Sequence, residues 1–122
     1  MKVKLFIKTT ELDNKTTTSE ISAIKKIKGS SIIYKYIDES GKTELEILSD
    51  SVIINRFGEI KSSFILKKDS KTSFKYKTSY FSSNLNIITK KLAICSNGFE
   101  CSYSIFQEET LVNNINISIY EI

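Results

Sequence analysis

The sequence holds no histidine, no proline and no tryptophan, and a single arginine, among its 122 residues. The missing histidine excludes Ser-His-Asp and Cys-His catalysis, and every zinc site that needs imidazole. Two cysteines cannot complete a structural zinc site by themselves. Long apolar runs are missing too. No stretch approaches the ~20 apolar residues of a membrane-spanning helix. The opening MKVKLFIKTTELD alternates apolar residues with lysine, whereas a secretory signal needs an unbroken apolar run of about 7–15 residues. The expected location is the cytoplasm, where both thiols stay reduced.

What is present suits a folded domain. Apolar residues at 40% and charged residues at 26% argue against wholesale disorder. The expectation is one domain over residues 1–122, because two separate cores would each be too small.

The dominant period is two. SFKYKTSY at 73–80 puts Phe74, Tyr76, Thr78 and Tyr80 on one face and Lys75, Lys77 and Ser79 on the other. FECSYSI at 99–105 and INISI at 115–119 alternate in the same way. A half-buried strand requires this, since successive side chains point to opposite faces. Similar runs occupy 2–9, 30–38, 43–49, 51–57, 60–67 and 84–95, with turn signals at 39–42, 58–59, 69–72 and 96–98. One segment is ambiguous. In residues 17–29, Ile21, Ile24 and Ile27 recur at helical spacing, Thr17 and Glu20 form a capping box, and Gly29 sits where a helix would stop. The alternative is a strand with a bulge.

Short strands with tight connections pair consecutively and antiparallel, so the fold class is all-β. A flat meander would leave two exposed edges with no proline to blunt them. Closure removes the edges and gives the inward faces a common core. The expectation is a single antiparallel up-and-down β-barrel of about eight to ten strands, its interior either filled by side chains or holding one small ligand.

From about Gly29 onward seven pieces follow in order: IIYKYIDE at 32–39, KTELEI at 42–47, VIINRFGE at 52–59, FKYKTSY at 74–80, LNIITKKL at 85–92, GFECSYSI at 98–105 and NINISI at 114–119. Their order and spacing resemble the YwiB-like family, small bacterial proteins with a calycin (lipocalin-like) β-barrel and no assigned activity. The resemblance implies the barrel, makes 17–29 a strand, and supplies no catalytic residues. Two departures stand out. Ser79-Tyr80-Phe81-Ser82 replaces an expected Pro-Tyr-Gly turn, and the turn at Asp69 and Ser70 lacks an expected glycine.

Cys95 and Cys101 invite a disulfide. With Asn97-Gly98 as a two-residue hairpin loop, Cys95 opposes Glu100 and points outward, while Cys101 points inward with Phe99 and Tyr103. A disulfide needs both Cβ atoms on one side, so two independent thiols are expected. Arg56 shares a face with Val52 and Ile54. If that face is the interior, its guanidinium must find an anion, from a ligand or from a residue such as Glu59. If Ile53 and Phe57 face inward instead, Arg56 is simply solvated. Tyr34, Tyr36, Tyr76, Thr78, Thr89 and Tyr103 fall on or near inward faces, where their hydroxyls bond one another or line a pocket. Aromatic residues at period two also make ordinary core.

Residues 61–91 carry eight Lys and one Asp. A single-stranded nucleic-acid groove needs lysines and aromatics on one face, and the alternation separates them. The acid pairs Asp38-Glu39 and Glu108-Glu109 sit in predicted turns or strand ends, and no glycine-rich phosphate loop is present. No catalytic constellation, metal site or cofactor site is legible. The expected function is non-enzymatic binding of a small amphipathic or anionic molecule, with Arg56 holding the negative end and the tyrosines forming walls. The alternative is a filled barrel that meets a protein or RNA partner through the lysine-rich 61–91 region.

Overall fold

The structure, a computed structural model, describes residues 1–39, 41–58, 61–80 and 82–122. Alternating inward apolar and outward polar residues build ten strands among them: β1 (Lys2–Thr10), β2 (Thr16–Lys28), β3 (Ser31–Asp38), β4 (Gly41–Ile47), β5 (Ser51–Gly58), β6 (Ser62–Lys67), β7 (Lys71–Lys77), β8 (Ser82–Cys95), β9 (Gly98–Gln107) and β10 (Thr110–Glu121). Residues 17–29 lie almost wholly in β2, paired with β1 and β3, so the capping-box reading fails. Among the described residues no helix is long and apolar enough to cross a membrane.

Each strand lies beside its neighbours in sequence, and β1 also pairs antiparallel with β10, from Leu5 opposite Glu121 to Thr10 opposite Asn116. The result is an up-and-down antiparallel barrel. One seam, between β6 and β7, lacks a continuous ladder among the described residues. At its upper end Lys61 and Lys77 exchange two backbone hydrogen bonds of 2.8 and 3.0 Å. At its lower end the Ser70 amide donates to the Lys67 carbonyl at 3.1 Å, and the Thr72 hydroxyl donates to the Ile65 carbonyl at 3.1 Å. Asp69 takes the turn's left-handed position itself, with φ 57°, where a glycine was expected. The same turn bonds sideways to β8, the Asp69 amide donating to the Thr89 carbonyl at 3.1 Å.

The core sits in the middle and lower barrel, where Leu5, Leu45, Ile54, Leu66, Phe99 and Ile119 are fully buried. Burial of each such side chain is worth about 1.5–3 kcal/mol. Two bulges keep the apolar residues inside. In β8 the register shifts between Thr89 and Lys91, so Ile87 and Thr89 face inward before it and Leu92 and Ile94 after it. In β10 the shift falls between Leu111 and Asn113.

Three local expectations are corrected. β7 ends at Lys77, so Tyr80 leaves the inward row and is 95% exposed. β10 begins at Thr110, earlier than the INISI run indicated. The β8–β9 hairpin turns on Ser96-Asn97, with Cys95 opposite Gly98 rather than Glu100. That slip of two residues leaves every side chain on its expected face. Gly98 is required by close approach, since a Cβ there would collide with the Ile119 carbonyl oxygen. Cys95 is exposed, Cys101 is buried, and both are free.

Two outcomes follow. Burial pushes the Cys101 thiol up to about 12, so iodoacetamide at pH 8 should label Cys95 in the folded chain and Cys101 only after denaturation, as read by peptide mass. At the seam, Lys61 and Lys77 set like charges directly opposite. Lys61→Glu should therefore stabilise the barrel by about 0.2–1 kcal/mol and slow hydrogen exchange at the Lys77 amide. Unchanged exchange would mean that charge does not limit the seam.

Candidate functional site

A meander barrel has two unlike ends. The termini gather at one end with the β2–β3, β4–β5, β6–β7 and β8–β9 turns, and the remaining loops ring the other.

The terminal end is plugged. On β10 the inward alternation Ile115, Ile117, Ile119 continues to Glu121, and on β2 Lys25 lies opposite Tyr34 of β3. Lys25 Nζ reaches Glu121 Oε2 at 2.9 Å, and the Tyr34 hydroxyl donates to the same oxygen at 2.9 Å. The Lys25 and Glu121 side chains are 15% and 22% exposed. The hydrogen bond from Lys25 holds the Glu121 carboxyl below its ordinary value of 4.5, against burial. Burial first, and then the bond to Glu121, push the Tyr34 hydroxyl upward. Tyr34 is thus committed to an internal network rather than offered to a ligand. Lys25 and Glu121 were missed from the sequence. Glu121 had a signal, because the period-two run from Ile115 carries an acid onto the inner face.

The opposite end opens into a cavity of about 660 Å³. Its apolar wall comes from Phe64 of β6, Phe74 of β7, Leu85 of β8, Ile105 of β9 and Ile115 of β10. Phe64 packs on Phe74 and Tyr103, with ring centroids 5.1 and 6.2 Å away. Arg56, Tyr76 and Tyr103 also line it, as does Glu11 just past β1.

The register explains why Arg56 is there. Val52 and Ile54 are buried in the core and Phe57 is exposed, which corrects the alternative that turned Ile53 and Phe57 inward. Arg56 follows on the same face but at the strand's end, so it is exposed at the mouth. It lies in a row across four strands, Tyr36, Thr43, Arg56 and Ser62. Tyr36 is buried and hydrogen-bonded to Thr43, its hydroxyl pushed upward by burial and pulled back by Arg56. No ion pair to Arg56 forms among the described residues. Glu59, the partner considered from sequence, lies outside them.

Of the seven residues singled out from sequence, Arg56, Tyr76 and Tyr103 meet at the cavity, with Tyr36 in the row beside them. Thr89 is opposite Tyr103 but 1% exposed and not in the lining; its hydroxyl has no hydrogen-bond partner among the described residues. Thr78 follows the end of β7 and also lies outside the lining. Burial pushes the Tyr103 hydroxyl upward, while Arg56 pulls it down and Glu11 pushes it up. Among the described residues no three His, Cys, Asp or Glu side chains cluster as metal ligands.

A family model described as "Domain of unknown function (DUF1934)" matches residues 2–119. The chain is also similar to the crystal structure of the ywiB protein from Bacillus subtilis, with a TM-score of 0.79 at 17% identity, covering 99% of this chain and 92% of that one. At that identity the likeness shows the fold. No curated protein matches by sequence.

The plug generates a pH prediction. Glu121→Gln leaves the Lys25 ammonium without its anion and should cost about 1–3 kcal/mol at pH 7. Because the folded carboxyl is depressed below 4.5, the native chain's advantage is full above that value and is lost as pH falls through the folded value. Thermal melts of both chains from pH 7 to pH 3 should converge on the acid side. A constant gap would show that the ion pair is not its source.

Proposed function

The chain belongs to the DUF1934 family, whose function is unknown, and from the chemistry of its open end we propose that it is a non-enzymatic barrel binding a small amphipathic or anionic molecule. The observation that carries this reading is the mouth cavity, with one side of aromatic and aliphatic side chains and, at its rim, a guanidinium that forms no ion pair among the described residues. Its volume falls in the range of about 300–1,000 Å³ usual for small-ligand sites. An apolar body packs against Phe64, Phe74 and Ile105, while Arg56 takes the negative end and Tyr76 and Tyr103 supply hydroxyls. Arg56 suits this role because a guanidinium pairs bidentately with a carboxylate or phosphate. We place the protein in the bacterial cytoplasm.

The rival reading, surface docking, draws on Lys71, Lys75 and Lys77, exposed on the outer face of β7 behind Phe74 and Tyr76. Such a face attracts acidic partners, but the aromatics that would stack on bases point the other way.

Native mass spectrometry of the chain purified from its own host tests the proposal. An added mass that disappears on denaturation is expected. Arg56→Ala should weaken its retention roughly tenfold or more, because a charge-assisted hydrogen bond is worth about 1.5–3 kcal/mol. The melting temperature of the unliganded chain should barely move, since Arg56 stands at the rim. A bare mass, together with salt-sensitive binding to RNA or an acidic protein, would favour the lysine face instead.

A further inference from the structure

The proposed binding role leaves the ligand's charge open, and the rim narrows it. Arg56 and Glu11 line the same cavity, yet neither forms an ion pair with the other or with any other described residue. Their places on the ring account for this. Arg56 is on β5 and Glu11 follows β1, four strands away in a ring of ten, so they face each other across the mouth. With strands about 4.8 Å apart and tilted by about 40°, such a ring is roughly 20 Å across. That is the span between the backbones; both side chains line the cavity, and an extended arginine and glutamate together close more than half of it, which leaves a gap that one small head group with a hydrogen bond on either side can bridge. Tyr103 lies within the field of both, its ionisation pulled one way by Arg56 and the other way by Glu11.

We propose that the open end recognises a zwitterion, a free α-amino acid with a large apolar side chain, whose carboxylate meets Arg56 and whose ammonium meets Glu11. A simple anion gains from Arg56 but is repelled by Glu11, and a simple cation has the reverse difficulty. A molecule carrying both charges on one carbon answers both side chains at once. Its apolar side chain then points down into the wall formed by Phe64, Phe74, Leu85 and Ile115. The packed Phe64 and Phe74 rings favour an aromatic body there. Unpaired charges at a rim cost little while solvated, so the site can wait open and form its ion pairs only as the ligand displaces water.

The chain's lack of tryptophan supplies the probe. L-Tryptophan can be excited selectively and its emission followed as the protein is added, with indole-3-propionate, which lacks the ammonium, and tryptamine, which lacks the carboxylate, as comparisons. L-Tryptophan should bind at least tenfold more tightly than either. Glu11→Gln should abolish its advantage over indole-3-propionate without weakening the latter, and Arg56→Gln should abolish its advantage over tryptamine. The comparison of the three probes on the native chain does not depend on the variants folding. Indole-3-propionate binding as tightly as L-tryptophan would overturn the zwitterion while leaving an anion-binding cavity. No binding of any of the three probes would also overturn it, and only a bare native mass as well would remove the cavity's binding role.

Discussion

Pairing of β1 with β10 is the constraint on which the rest depends. It joins the two ends of a ten-strand meander and turns an open sheet, with two edges to protect, into a ring that is interrupted, among the described residues, at one seam. Closure also fixes how much interior there is to fill. Eight strands enclose a space that side chains alone can occupy, and the diameter grows with each strand added. Ten strands enclose more than this chain's inward residues fill along the whole axis. The core packs densely around Leu5, Leu45 and Phe99, and the surplus volume collects at the far end as the cavity.

Lys25 and Arg56 show how one ring treats charge in two ways. Lys25 enters at the terminal end, largely shielded from water, and there a charge must be matched. Glu121 and the Tyr34 hydroxyl match it within hydrogen-bonding distance. Arg56 enters at the other end, where solvent reaches it, and it needs no internal partner. The same inward parity therefore gives a plug at one end and, at the other, a solvated guanidinium with no ion pair among the described residues. The difference is position along the strand.

Much of this was legible in local alternation, because a period of two survives in any strand with one buried face. The strands at 99–105 and 51–57, the inward stripe of Phe74 and Tyr76, and the opposite faces of Cys95 and Cys101 all followed from it. Alternation failed where distant strands decide. In β2, Ile24 is half exposed and Lys25 is inside, the reverse of what hydropathy indicates. The reason is Glu121, 96 residues away, which no local pattern connects to Lys25. The cavity was invisible for a related reason. Glu11 and Arg56 become facing residues only once the ring closes, and neither sits in a motif. Bulges lay between these extremes, since the change of parity from Ile87 to Leu92 is written in the sequence although its pairing is not.

The seam and the cavity share a cause. Phe64 and Phe74 flank the gap between β6 and β7 and form part of the cavity wall, so their ring contact spans a stretch where no backbone ladder joins the strands among the described residues. Above them the Lys61–Lys77 pair holds by two backbone bonds against the repulsion of its own side chains. Below them the turn at Asp69 is anchored to β8 as much as to β6. Among the described residues the barrel is therefore least cross-braced beside this cavity. A wall held by aromatic packing can adjust to the shape of what lies against it, whereas a continuous ladder would fix the width of the mouth. That compliance suits a cavity whose lining mixes charged groups, hydroxyls and apolar rings.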